Sequence, residues 1–210
     1  MKLVKLFFMA KSNVVQLVSS YKNANTFIIE INDFDILIID LGNYPIGELV
    51  NWIKTNNKNL IGLFLTHEHA DHCFGVDALK ELIDFTLYCS EKCEINMRNP
   101  KQNFSHYIEE FETFGVQSEA IIITDGQNLN FNGFEITVME TPGHSPGSIC
   151  LLANNIVFTG DTLLNGVESP LSFPHSDKKE YQISKNSLLD TLTPQIKIYP
   201  GHGVPFNSVI

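Results

Sequence analysis

The segment that most constrains this chain is an apolar run, residues 60–65 (LIGLFL), ending directly in Thr66-His67-Glu68-His69-Ala70-Asp71-His72. A continuous apolar run of this length is the pattern of a strand buried on both faces, which implies a sheet covered on either side. Four residues of metal-ligating type, His67, His69, Asp71 and His72, then fall within six positions. No single regular element can use all four together, because strand periodicity groups 67, 69 and 71 and sends 72 to the opposite side. A tight loop running into a helix lets His67 and His69 converge on one point while Asp71 and His72 turn toward a second. Such multi-ligand spacing is far more specific than any one histidine.

Three further residues of the same types close strand-like segments. His144 sits between two Pro-Gly turns in Thr141-Pro142-Gly143-His144-Ser145-Pro146-Gly147-Ser148, directly after the strand pattern at 134–140. Turns of this kind fix the backbone so that one side chain is aimed at a point. Asp161, in Phe158-Thr159-Gly160-Asp161-Thr162, ends another strand pattern, where a carboxylate can bridge two cations. His202 repeats the arrangement in Tyr199-Pro200-Gly201-His202-Gly203. Each of these alone is an ordinary turn residue. With the cluster they make five imidazoles and two carboxylates, a set suited to two borderline-soft divalent cations with a position left for water.

The remaining patterning places this set in a fold. Residues 26–31 and 36–41 read as strands joined by Asn32-Asp33, and strands are expected again at 85–89, 120–124, 134–140, 148–153, 156–159 and 196–199. Helices are expected over 47–54, 76–83 and 180–192, with one or two more near the surface within the polar stretch 91–114. Gly133 and Asn154-Asn155 mark hairpin turns. Residues 1–11 faintly imitate a signal peptide, but their uninterrupted apolar stretch is five residues, shorter than the ~7–15 of a secretory core, and reads as an opening strand. No apolar run approaches the ~20 residues of a membrane span. Strands with intervening helices, twice, without a Rossmann fingerprint or P-loop, predict two sheets with helices on their outer faces in a single domain over residues 1–210.

Charge narrows the partners. Lys plus Arg is 14 against 24 Asp plus Glu, a formal net charge of −10, and Arg98 is the only arginine. A phosphate-tracking surface needs clustered basic residues, and Lys178-Lys179 is the only adjacent basic pair. Nucleic acid and membrane are therefore not expected as partners; a small-molecule substrate is, and a homodimer is left open. The four cysteines, Cys73, Cys89, Cys93 and Cys150, form no C-x-x-C pair and read as reduced, buried thiols of a cytoplasmic protein. Cys73 directly follows His72 and is expected near the metals.

The set THEHADH, TPGHSPGS, TGDTL and PGHG resembles the metallo-β-lactamase superfamily, particularly its small glyoxalase II-like hydrolases, over nearly the whole chain. The resemblance implies an α/β (α+β) fold, an αββα sandwich of two mixed sheets with helices outside and the site at the strand ends. It also implies that His67, His69 and His144 hold a first metal, that Asp71, His72 and His202 hold a second, and that Asp161 bridges them. Asp40 matches the family's early strand-end aspartate, which orients a ligand, and Glu68 is a further candidate for that task. Two departures stand out. Cys73-Phe74-Gly75 follows the cluster where the family has two glycines, so Phe74 is expected to reshape one wall of the site. Glyoxalase II carries a further C-terminal helical region with basic residues for glutathione, whereas eight residues follow His202 here.

The function expected is hydrolysis of a small thioester or related acyl compound by a metal-bridging hydroxide, with two divalent ions, zinc first and iron or manganese as alternatives. Asp71 is assigned a catalytic proton-handling role besides ligation. A lactonase or other ester hydrolase is the alternative on the same scaffold, and a mononuclear-iron persulfide dioxygenase is the oxidative one. β-Lactam hydrolysis is disfavoured because those enzymes generally lack the bridging carboxylate. Retention of all seven ligands argues against a non-catalytic metal-binding module. Ser145 reads as a turn residue, His106 as exposed, and His175 and Tyr181 as candidates to face substrate.

Overall fold

The computed structural model describes residues 14–109 and 112–208; the strand expected over residues 1–11 lies outside them. The first sheet begins as an antiparallel meander of β1 (Val14–Val18), β2 (Asn25–Glu30) and β3 (Asp35–Ile39). Helix α1 (Ile46–Thr55) then carries the chain over to β4 (Asn59–Phe64), which lies parallel to β3. Two short helices follow, α2 (Ala70–Cys73) and α3 (Val76–Lys80), then the parallel strand β5 (Thr86–Cys89). Helix α4 (Glu91–Met97) precedes β6 (Ala120–Ile122), which closes the sheet in the order β1-β2-β3-β4-β5-β6.

The second sheet contains β7 (Asn128–Phe131), β8 (Phe134–Glu140), β9 (Ile149–Ala153), β10 (Ile156–Gly160), β11 (Lys197–Pro200) and β12 (Phe206–Asn207). Its strands are antiparallel except for the β10–β11 pair, which is parallel and is connected through helix α5 (Lys178–Thr191). Both sheets are mixed, as expected.

Side-chain alternation along the strands separates the layers. In β3, Ile36 and Ile38 pack with Leu49, Ile53, Val76 and Leu79 of the helices, while Leu37 and Ile39 face the second sheet. Phe64 of β4 does the same, so the apolar run at 60–65 is covered on both faces, as its composition requires. Between the sheets Phe27, Phe158 and Tyr199 pack together, with Phe27 and Tyr199 edge to face at 5.2 Å. Leu188 and Leu192 seal the outer face of the second sheet on Val157 and Ile198. The result is helices, sheet, sheet, helix.

Three differences from the sequence reading have physical causes. Strand β7 (NLNF) alternates exposed and half-buried residues at a sheet edge, so its composition is too polar for a strand pattern. Helix α4 is anchored by buried Cys93 and Met97 and belongs to the helix-side core rather than the surface. Helix α3 ends at Lys80, and residues 81–83 continue as a turn. Strands β1 and β12 were also not expected. Among the described residues, no helix is long and apolar enough to cross a membrane.

Candidate metal centre

The predicted ligands lie in the segments that follow strands: His67 and His69 after β4, with Asp71 and His72 in the short helix α2 beyond it, His144 after β8, Asp161 after β10 and His202 after β11. Asp40, just after β3, has a left-handed φ of 55°, which turns its carboxylate back across the ends of its neighbours. It accepts from the Thr66 backbone N–H and hydroxyl, both at 2.7 Å, and from His72 Nδ1 at 2.9 Å. The Thr66 hydroxyl, its proton thus committed, accepts from His67 Nδ1 at 3.0 Å. His67 and His72 therefore carry their protons on Nδ1 and present Nε2 inward, as second-nitrogen partners of a metal ligand should arrange. His69, in extended backbone at the start of α2, presents Nδ1, which lies 3.1 Å from His144 Nε2.

The second sheet supplies the other three. His144 lies 3.0 Å through Nδ1 from the Pro170 carbonyl, which can only accept, so Nε2 is its free nitrogen. The backbone at Gly143 has φ 130° and lies so close to Tyr181 N that a side chain there would collide with it. His202 likewise donates through Nδ1 to the Lys22 carbonyl at 3.1 Å. Its loop is tied to β2 by buried Asn25, which donates to the carbonyls of Pro200 and Gly203, both at 2.8 Å. Gly201 completes the approach, since a side chain at that position would overlap Asp161 Oδ1 and the His72 ring.

These positions form two triads with a carboxylate between them. The candidate ligand atoms of His67, His69 and His144 lie within 4.8 Å of one another, and so do those of Asp71, His72 and His202. Asp161 Oδ1 is 3.6 Å from His72 Nε2, and its Oδ2 is 3.6 Å from His144 Nε2 and 3.4 Å from His202 Nε2. A third grouping of Asp40, His67 and His72 meets the same distance, but Asp40 is occupied in orienting Thr66 and His72.

The residues fit divalent cations. His67 Nε2 and Asp161 Oδ1 are buried and have no hydrogen-bond partner among the described residues, a costly state for polar atoms unless something else satisfies them. The Nε2 atoms of His72 and His202 stand 3.3 Å apart although both rings donate through Nδ1. Two ring nitrogens at that distance, each with its Nδ1 proton already committed, need a proton or a cation between them.

The sequence pattern of the metallo-beta-lactamase superfamily matches residues 21–202, which spans every one of these residues. The chain belongs to that superfamily. It is a metal-dependent hydrolase, and the histidine and aspartate clusters are those of a divalent-metal protein. A probable metallo-hydrolase of Streptococcus pyogenes serotype M6 is 31% identical over 184 residues, covering 85% of this chain and 78% of that protein. The hydroxyacylglutathione hydrolase GloC of Haemophilus influenzae is 29% identical over 170 residues, covering 76% of this chain and 77% of its own. The B3 metallo-beta-lactamase BLEG-1 superposes with a TM-score of 0.83 over 91% of this chain and 92% of its own. At 24% identity that likeness shows a shared fold.

The electrostatics of this superfamily member differ between the triads. Burial pushes the basicity of His67, His69 and His144 down, and neighbouring imidazoles add to the effect at His67. Burial acts the same way on His72, but Asp40, Asp71 and Asp161 overcome it and raise His72 to about 10. Burial would also raise the Asp71 carboxyl, yet His72 and the hydrogen bond from His202 hold it well below the usual carboxylate range. A buried site that draws a proton this strongly is one in which a cation competes with that proton.

A cavity of about 790 Å³ opens onto His69, Asp71, Asp161 and His202. Aromatic and aliphatic side chains wall most of it, with Phe104, Tyr107, Phe173 and Leu164 among them. Of the other residues singled out in the sequence, several lie elsewhere. Glu68 orients no ligand; its buried carboxylate accepts from Asn96 Nδ2 and Ser145 Oγ, both at 2.9 Å, and so braces the His144 loop against α4. Phe74 packs edge-on against Phe114 at 5.2 Å rather than walling the cavity. Cys73 lies beside the cluster but faces the helix-side core and donates to the Glu68 carbonyl. Tyr181 is buried beneath the Gly143 turn, His106 is exposed, and exposed His175 stacks on Phe104 at the rim. Asn25, Lys22, Phe104 and Phe173 were not singled out; only the sheet-to-sheet and loop-to-loop contacts reveal them.

Proposed function

We propose that this metal-dependent hydrolase cleaves small thioesters or related acyl compounds, in the manner of a hydroxyacylglutathione hydrolase, with two zinc ions per chain. His67, His69 and His144 would hold one ion, Asp71, His72 and His202 would hold the other, and Asp161 would offer a carboxylate oxygen to each. The position of Asp161 carries this reading, because its two oxygens face ligands of both triads at 3.4–3.6 Å. When bound, such ions supply a nucleophile by lowering the pKa of water to about 7 and polarise an acyl carbonyl.

The chain's own groups supply the rest. Asp71 lines the cavity beside His202, 3.4 Å from its Nε2. Held ionised, it accepts a hydrogen bond from an incoming water at Oδ and orients it toward the acyl carbon. Thr66 and Asp40 engage the Nδ1 atoms of His67 and His72, which leaves the inward Nε2 atoms to meet a cation, and Asp40 makes the His72 ring the more basic of the two. Phe104 and Phe173 line the cavity beside His69, so charges there face hydrocarbon on one side, which strengthens their interactions. A small acyl substrate suits this cavity, and the net charge of −10 disfavours a nucleic-acid substrate. The second triad supports two ions over the single iron of a persulfide dioxygenase.

The test is a panel of thioesters, lactones and phosphodiesters assayed with metal content measured on the same sample. Two zinc per chain with thioester turnover is expected. Lactone turnover without thioester turnover moves the assignment to the ester alternative. One iron per chain with oxygen consumption overturns the reading.

A further inference from the structure

Phe104 stands out from the rest of the cavity wall. Its backbone is left-handed, with φ 67°, a region that a bulky side chain rarely adopts and that persists only when its surroundings impose it. Buried Asn103 imposes it. The Asn103 side chain donates to the carbonyls of Met97 and Phe114, both at 2.9 Å, and accepts from Ser105 N at 2.8 Å. Its carbonyl accepts from Ala70 N at 2.8 Å, directly beside ligand His69. The loop is thus locked to the metal-binding helix on one side and to the helix-side core on the other.

The strained residue places its ring 4.9 Å from the His69 ring and stacks it on Phe173 at 5.1 Å, with 23° between the planes. Phe173 in turn lies 5.0 Å from His69 and 5.8 Å from His144. These two rings form a continuous apolar ledge that starts at the first triad and runs along the cavity. Leu164 and Val167 line the same cavity. Among the described residues charge is sparse: apart from the candidate ligands, Lys22 and Glu168 are the charged liners, and Glu168 is paired with Lys185 at 2.9 Å. A cavity built in this way favours an apolar group and offers one cation where a peptide-like, doubly anionic group would need more.

We propose that the Phe104–Phe173 ledge recognises the acyl side of the substrate, and that the substrate class is thioesters with an unbranched apolar acyl chain of medium length. The inference rests on the hydrolase reading above, since the chain extends from a carbonyl placed at the metals. The ledge lies against His69 and His144 and lines the cavity, so each added methylene that packs on it leaves water for phenyl and aliphatic surface. Burial of a methylene corresponds to about a fourfold gain in binding, up to the length at which the chain leaves the cavity.

The experiment compares acetyl, butanoyl, hexanoyl and octanoyl thioesters of N-acetylcysteamine on the zinc-loaded protein, together with the lactoyl thioester of glutathione. Binding of octanoate and acetate is measured in parallel by calorimetry. At least a tenfold higher kcat/KM for hexanoyl than for acetyl is expected, and octanoate should bind at least tenfold tighter than acetate. Phe104→Gly suits the left-handed backbone and removes the ring without straining the loop; Phe173→Ala removes its partner. In both variants the hexanoyl-to-acetyl ratio and the octanoate-to-acetate ratio should fall at least fivefold, with zinc content unchanged. Thioester turnover that is flat with chain length, or highest for the lactoyl glutathione ester, overturns the ledge assignment and leaves the hydrolase reading intact. Ledge-dependent octanoate binding without turnover of any thioester supports the ledge and overturns that reading.

Discussion

The two triads of the metal centre are built from similar residues in different surroundings. His67, His69 and His144 are 1%, 5% and 1% exposed, three imidazoles whose basicity burial depresses. Asp71 and His202 keep side-chain exposures of 18% and 24% and line the cavity. Around His72 the field is anionic, with Asp40, Asp71 and Asp161 all contributing. The inner triad is thus the less basic and more buried socket, reached from the cavity at His69, and the outer one is the more charged, reached at Asp71 and His202. A cation in the inner socket should exchange more slowly, whereas one in the outer socket competes with protons. Asp161 links the two, and its loss should hurt both.

Asp161→Ala is expected to give the largest effect. With the shared carboxylate removed, metal content should fall below one ion per chain, and turnover of any acyl substrate should drop by roughly 10³-fold. Elemental analysis and steady-state rates on one preparation measure both. Retention of two ions would mean that Asp161 does not join the sockets, and the comparison would break there. Next in size is the contrast between His67→Ala and His202→Ala. The first should empty the inner socket; the second should leave close to one zinc per chain in place. Equal loss from both would show that the triads bind as one unit.

How much of this centre could be read from sequence follows from where its residues lie. The candidate ligands could be picked out because they lie in segments that follow strands and carry turn residues, in THEHADH, TPGH, TGD and PGH. Local pattern and chemistry coincide there, and the sandwich brings strand ends together. The two mixed sheets were legible for a related reason, since LIGLFL and ILIIDL carry their burial in their composition. The supports were not. Glu68 sits among the ligands in sequence, but its partner Ser145 is 77 residues away, and only the folded chain shows that it turns from the metals. Phe104 and Phe173 are two of 15 phenylalanines, and nothing local separates a ring over a cavity from a ring in a core. Asn25 looks like an ordinary strand-end residue until the His202 loop is seen to hang from it.

Asp40→Asn sharpens the comparison with a smaller effect. Asparagine tolerates the left-handed backbone at this position and keeps one acceptor oxygen, but it withdraws a negative charge from His72. Partners of this kind typically account for 10–100-fold in metal affinity, and a loss of about that size is expected for the outer ion alone. Competition against a graded series of zinc chelators reads the two affinities separately. An equal fall at both sites would place Asp40 in the service of the whole centre, which its bond to Thr66 and thence to His67 makes a fair challenge.

The smallest expected effect tests whether the inner socket's rigidity has a structural origin outside the ligands. Ser90 caps α4 by accepting from Cys93 N at 3.2 Å, and its hydroxyl donates to the Gly147 carbonyl at 2.7 Å. That single buried hydroxyl fastens the His144 loop to a helix packed in the opposite sheet's core. Ser90→Ala removes both bonds and leaves a buried carbonyl short of a donor, which should lower stability by about 1–2 kcal/mol. Chemical denaturation of the metal-free protein measures that loss apart from any contribution of zinc. With zinc added, the inner ion should leave the variant faster than the wild type while the outer one leaves at its usual rate. If both exchange at their usual rates, the slower exchange of the inner socket comes from the aromatic wall at His69 and His144, and the α4 tether contributes only to the fold.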